Sequence, residues 1–274
     1  MTVPVQHRRR PTILLAGAQT RYQLRLLLRN RMSTFTILVI PLMLLVALDL
    51  VGPSFPPRDL NGEKYAEFLT PAMAVFGLLN ASYVNVATSV VAARENGVLK
   101  RFRSTPLPSW AYFAGRIIAA TAMGAASAAA VIAFGTAVLH ARFNASVIPE
   151  LIGVCALGMV CFALVGLAVG TLVSDAESAL AISYGTLLPV AFVSNVFFPA
   201  TSSPGWLRHA ASLLPVRAVA TAAERLFGPD ATGPVLTHGQ LAVLGFWALG
   251  SAAVIGLAFR WRPGESLVLR RRRH

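Results

Sequence analysis

The sequence predicts an all-α membrane protein with six transmembrane helices, and three observations carry that prediction. Hydrophobic residues make up 55% of the 274 residues and charged residues only 13%, with a mean hydropathy of +0.64, whereas a soluble domain carries about 25% charged residues. Six apolar runs are long enough to cross a hydrocarbon core, which needs about 17 to 25 residues. The net charge of +13 is not spread over a soluble surface but gathers at the two ends and in one internal loop, as membrane anchors do. That clustering argues against nucleic acid as a partner and for a lipid bilayer. Three parts follow: a 1–34 interfacial segment, a six-span unit over 35–259, and a basic tail over 260–274.

Residues 1–34 hold seven arginines, and from Ile13 onward these alternate with leucines at helical spacing. This pattern predicts an amphipathic helix lying in the membrane interface, with arginines reaching the headgroups. The first span is expected at 35–51, with Asp49 at its far end. A Pro- and Gly-rich, slightly acidic loop follows, and the second span is expected at 68–93. Ser82, Asn85 and Ser89 recur there at i, i+3 and i+7, which places them on one polar stripe. In lipid such a stripe faces other helices, either as packing contacts or as the lining of a substrate path.

The stretch from Ala93 to Arg116 interrupts the apolar pattern with Arg94, Glu95, Lys100, Arg101 and Arg103. Such a charge density has to surface on one side. From Glu95 to Arg103 the spacing suits a short amphipathic helix, with Val98, Leu99 and Phe102 as its apolar face. Thr105 and Pro106, with Pro108, end it, because proline lacks the amide donor and restricts the residue before it. The segment resembles the first cytoplasmic loop of ABC-2 type exporter permeases, the class that includes daunorubicin and multidrug exporter membrane subunits. The shared pattern here is Arg94-Glu95, Gly97, Leu99, Lys100-Arg101, Thr105-Pro106-Leu107, Tyr112 and Gly115-Arg116, with Val98 where Thr is more usual. The resemblance implies a coupling helix that docks on a separate ATPase subunit dimer, which would bind ATP and Mg. It assigns Arg94, Glu95, Gly97, Leu99, Lys100, Arg101, Phe102, Arg103, Thr105 and Pro106 to that contact. For the N-terminal helix it implies an elbow-like connection.

The third span, expected at 110–139, is alanine-rich, which permits close packing. The fourth, at 151–173, carries Gly166 and Gly170 as a GxxxG pair, a signal for helix contact. Cys155 and Cys161 lie six residues apart on it and point in different directions, so a disulfide between them is not expected. The turn after it holds Asp175 and Glu177. These acids fit a helix cap; the resemblance also places a second, smaller cytoplasmic contact there. The fifth span is expected at 179–198, with Ser183, Thr186 and Ser194 on one face and Pro189 as a kink. Residues 199–240 are too apolar for a simple loop, and prolines divide them into two short helices, read as an external re-entrant or interfacial pair. The resemblance places a re-entrant pair in this position. The sixth span is expected at 241–259.

Orientation follows from counting Lys and Arg. Residues 1–34, 94–109 and 260–274 hold 17, and the opposite loops hold six. The positive-inside rule then puts both termini and the charged loop in the cytoplasm of a bacterial plasma membrane. The sequence contains no P-loop, no HExxH metal motif and no GxSxG elbow. No acid sits mid-span, Asp49 being nearest. No catalytic or metal-ligating residue is therefore assigned. The expected function is the permease subunit of an ATP-driven exporter of drug-like, antibiotic or lipidic molecules, working as a homo- or heterodimer. Ser82, Asn85, Ser89, Ser183, Thr186 and Ser194 are candidates for the path of a hydrophobic or amphipathic substrate. The alternatives are a polysaccharide or lipid exporter permease and a non-transporting membrane scaffold.

Overall fold

A computed structural model describes residues 12–52, 65–98, 109–142, 145–198, 204–227 and 235–258. Among them every regular element is helical: α1 (Thr12–Arg29), α2 (Arg31–Val51), α3 (Tyr65–Leu79), a π-turn (Asn80–Val84), α4 (Asn85–Glu95), α5 (Ser109–Ala137), a 3-10 turn (Ala145–Val147), α6 (Ile148–Leu172), α7 (Ala176–Val193), α8 (Gly205–Ser212), α9 (Pro215–Phe227) and α10 (His238–Ala258). Six stretches are long and apolar enough to cross a membrane: α2, the continuous Tyr65–Glu95 helix, the Tyr112–Ala137 part of α5, α6, α7 and α10.

Most of these helices begin about three residues before the apolar run suggests, because polar and proline residues form their first turns. Asn30 caps α2 by accepting from the Ser33 N–H at 3.2 Å, and Asp175 caps α7 by accepting from the Ser178 N–H at 2.7 Å. Pro149 opens α6 at a position where a missing N–H costs nothing. Two helices end early. Asn195 takes the left-handed conformation (φ 67°), so the fifth span stops at Val193 rather than 198, and His140 (φ 56°) closes the third.

The second span is the hub. Its apolar window is 83% buried, against 11% for the sixth span, so the other helices are arranged around it. Its residues Leu69, Met73, Val75, Phe76 and Leu78 form the core with Val131 of α5, Phe162 of α6 and Val219 of α9. Close approach is set by glycine. A Cβ on Gly166 would lie 2.5 Å from the Tyr83 carbonyl oxygen, and one on Gly170 would lie 2.9 Å from that of Ala87. The GxxxG pair therefore seats α6 on the backbone of span two, as its spacing predicts.

Proline is accommodated in the same way, by a neighbouring helix. Pro41 in α2 has no N–H for the Ile37 carbonyl one turn back. The buried Ser127 hydroxyl of α5 donates to that oxygen at 2.6 Å. Gly77 of α3 leaves the room, since a Cβ there would lie 2.4 Å from the Ser127 Oγ. Ser127→Ala is expected to leave this carbonyl unbonded and to cost about 1 kcal/mol, readable as a lower thermal midpoint in detergent; an unchanged midpoint would show that the bond carries nothing.

Two expectations are refined. The N-terminal helix is packed on the bundle along one face. Gln19 and Gln23 of α1 are buried, and α1 lies along the first turns of α5, with Arg21, Arg25 and Arg29 exposed. Gly115 permits this, because a Cβ there would meet Gln19 Cγ at 2.8 Å and the Thr20 backbone nitrogen at 3.0 Å. The stretch after span five does form two short helices. The second of them, α9, buries Val216, Val219, Ala223 and Leu226 against α3 and α6, while Trp206 on α8 is exposed.

Candidate functional site

Sequence-selected residues meet at the charged-loop end of the bundle, where Arg94 and Glu95 reach the turn that holds Asp175, while along the seam between spans two and five one selected residue, Thr186, takes part.

At the loop end, α4 stops at Glu95. Asn96 closes it, and Gly97 turns away at φ 65°, its N–H bonded to the Arg94 carbonyl at 3.1 Å. A left-handed residue after a helix favours glycine because a Cβ would clash with its own backbone. The helix break thus falls between Glu95 and Val98, so Glu95 belongs to span two and does not start a separate coupling helix. Leu99, Lys100, Arg101, Phe102, Arg103, Thr105 and Pro106 lie outside the described residues.

Arg94 and Glu95 turn toward the chain itself. The Arg94 guanidinium donates to the Val173 carbonyl and, at 3.2 Å, to the Ser174 carbonyl, closing the C-terminal end of α6. Glu95 Oε1 accepts from the Ala176 N–H at 3.1 Å, at the start of α7. A cation at a helix C-terminus and an anion at a helix N-terminus each oppose the local dipole charge, so neighbouring residues of opposite sign suit the two ends of one turn. Asp175 completes the turn as the α7 cap; the Ser178 N–H bonded to it holds its carboxyl below the usual carboxylate range. Glu177 is exposed on the first turn of α7. The first loop and the second turn, separate in sequence, are therefore one structure at Arg94, Glu95 and Asp175.

The Gly-Arg pair has a structural role beside this turn. Arg116 donates through Nε to the Ser89 Oγ at 2.9 Å and through Nη1 to the Tyr112 hydroxyl at 2.9 Å, its guanidinium 6.0 Å from the Tyr112 ring centre. Ser89, selected as a path residue, also donates to the Asn85 carbonyl, so it joins α4 to α5.

Along the seam, the π-turn widens span two by one residue, and the Asn85 N–H reaches back to the Asn80 carbonyl. Two side chains of this turn bridge to α7. The Tyr83 hydroxyl lies 2.7 Å from the Thr186 hydroxyl, and the Tyr184 hydroxyl donates to Asn80 Oδ1 at 3.0 Å. Asn80, Tyr83 and Tyr184 were not selected as site residues. The signal that points to them is a tyrosine in the middle of an apolar span, whose hydroxyl needs a partner there. Of the selected residues, Ser82 is fully buried and bonds back to the Leu78 carbonyl, and Asn85 is buried. Ser183 and Ser194 are buried with hydroxyls that lack a hydrogen-bond partner, while Thr186 is exposed. The contact to Thr186 on the face of span five is made by Tyr83, which is not one of the stripe residues, and the Ser82 backbone carbonyl faces Gly166 of α6.

Residues 16–225 match the family model described as ABC-2 type transporter, so the match includes the turn, the clamp and the seam. The chain belongs to the ABC-2 type transporter family. It is also similar, at 23% identity over 190 residues, to the probable multidrug ABC transporter permease YbhR of Escherichia coli strain K12, and to the protein of that name from Escherichia coli O157:H7. The alignment includes 69% of this chain and 51% of each relative, so the chain spans about half the length of the curated relatives it matches. With six helices among the described residues long and apolar enough to cross a membrane, this ABC-2 family chain is a multi-pass membrane protein.

Proposed function

We propose that this ABC-2 chain is the permease subunit of an exporter that moves drug-like, antibiotic or lipidic molecules out of the cytoplasm or inner leaflet. The observation that carries the reading is the ABC-2 match over 16–225; the multidrug relative favours hydrophobic or amphipathic cargo. ATP and Mg are held by a separate ATPase dimer, since the sequence has no P-loop of its own. Both termini and the charged loop lie in the cytoplasm, by the positive-inside count. Lys100, Arg101 and Arg103, with Phe102, dock on the ATPase just beyond the Gly97 break. Two permease copies face each other, and ATP-driven closure of the ATPase rocks the spans. Cargo then moves along a path that spans two and five line together at the interface between the two copies.

The test is affinity purification of the tagged chain from its host membranes. A P-loop ATPase is expected to copurify in stoichiometric amount. A variant with Lys100, Arg101 and Arg103 replaced by glutamate should insert normally and lose that partner, because charge reversal at a docking surface turns attraction into repulsion. Absence of any P-loop protein from the wild-type preparation would remove the exporter reading, and retention of the ATPase by the variant would remove the docking role of this loop.

A further inference from the structure

We propose that Arg94 and Glu95 are positioning residues that fasten the α6–α7 turn to the end of span two, so that spans two and five move as one body. The proposed transport cycle enters only as the force that drives this body. The inference begins from how little else holds α7. Only 22% of its apolar window is buried, and Leu180, Ile182, Leu188 and Phe192 face outward. Its main neighbour is the second span. Along that contact there are three polar attachments: Glu95 to the Ala176 N–H at the loop end, and a crossed pair at the π-turn, Tyr83 to Thr186 and Tyr184 to Asn80. The connection from α6 is only Val173, Ser174 and Asp175. Val173 and Asp175 are extended, at ψ 144° and 156°, which leaves the turn no helical stiffness of its own. Arg94 supplies stiffness from outside by bonding the carbonyls of Val173 and Ser174.

The position of the clamp gives it leverage. Glu95 is the last residue of α4, and Gly97, two residues on, is the left-handed break before the basic stretch. A displacement of the loop at Gly97 reaches Glu95 through two residues and the N-terminus of α7 through one further hydrogen bond. In the apolar part of the bundle, the Tyr83 and Tyr184 bonds carry the same displacement along α7. Both are buried or half-buried polar bonds in an apolar surrounding, where breaking them is costly. On this reading Arg94 and Glu95, at the exposed end of span two, hold the α6–α7 turn and are not the surface that the ATPase grips.

The experiment uses the full chain in lipid nanodiscs, with Cys155 and Cys161 replaced by alanine and spin labels on Asn96→Cys and Glu177→Cys, both exposed positions beside the clamp. One narrow distance is expected. Glu95→Ala and Arg94→Ala should each raise the released population about twofold to tenfold, the range expected for one partly exposed hydrogen bond, and broaden the distribution. Glu95→Gln should restore the narrow distance, because its amide oxygen still accepts from the Ala176 N–H; a merely electrostatic role would not be rescued. A distribution unchanged in the Arg94→Ala/Glu95→Ala double variant overturns the proposal. This measurement needs no ATPase, so it stands apart from the exporter reading. In the copurified complex, Glu95→Ala is expected to keep the ATPase bound while losing its response to the permease. Loss of the ATPase with an unchanged distance would instead make Glu95 a docking residue and overturn the positioning role.

Discussion

Gly166→Ile is expected to lower the thermal midpoint of the purified protein by about 5–10 °C and to broaden its size-exclusion peak. At this position a Cβ would lie 2.5 Å from the Tyr83 carbonyl oxygen and 3.1 Å from that of Ser82. Both are main-chain atoms of the hub helix, so no side-chain rotation relieves the contact and the two helices must separate. Overpacking of a core costs about 1–3 kcal/mol where side chains can shift, and backbone against backbone belongs at the top of that range. With about 2–4 °C per kcal/mol for a chain of this size, the fall is several degrees or more. Separation at Gly166 also moves Tyr83, so the bond to Thr186 is lost with it. Gly153→Ile and Gly185→Ile are the controls, since a Cβ at either meets nothing within 4 Å. Equal midpoints for Gly166→Ile and the controls would show that the GxxxG seat is not a constraint.

That seat was legible in the sequence because its signal is local: two missing side chains one turn apart on an apolar helix. The six spans, the two short helices after span five and the cap at Asp175 were legible for the same reason. What escaped depends on contacts between distant segments. The polar stripe at Ser82, Asn85 and Ser89 presumes 3.6 residues per turn, and the π-turn at Asn80–Val84 breaks that count within the stripe. Arg94 and Glu95 lie at the exposed end of span two, as their charge implies, but their partners are main-chain atoms of another turn, which carry no residue signature. Arg21, Arg25 and Arg29 of α1 are exposed, as the amphipathic pattern has them, whereas the burial of Gln19 depends on Gly115 of a different helix. The Ile37 carbonyl that Pro41 leaves free is satisfied by the hydroxyl of Ser127, 90 residues away from it, a pairing that no local pattern carries.

At the opposite end of the bundle, Glu224→Leu is expected to destabilise the protein by about 2–3 kcal/mol, and Arg217→Leu/Glu224→Leu is expected to recover most of it. Glu224 and Arg217 lie seven residues apart on α9, hence on one face two turns apart. The Glu224 carboxylate accepts from the side chain of Asn195, the left-handed residue that ends span five. Arg217 is half-buried, and its Nη1 is buried without a hydrogen-bond partner. Burial pulls the Arg217 pKa below its ordinary value, Glu224 pushes it back up, and Arg208 on α8 lowers it. Removing Glu224 therefore leaves two guanidiniums near each other with that counter-charge gone, and takes an acceptor from Asn195. Arg217 and Glu224 are both half-buried and act on each other through charge rather than direct contact, so the cost lies below the roughly 3–5 kcal/mol of breaking a buried ion pair. Removing both members takes away the uncompensated charge and leaves two leucines on a helix whose other faces already pack against α3 and α6, which is why the pair is more dispensable than either half. Thermal unfolding of the native protein, the two single variants and the double variant gives the coupling directly. A double variant no more stable than Glu224→Leu would mean that Glu224 acts through Asn195 alone, and that α9 is held to span five by one hydrogen bond rather than by a balanced cluster of charges.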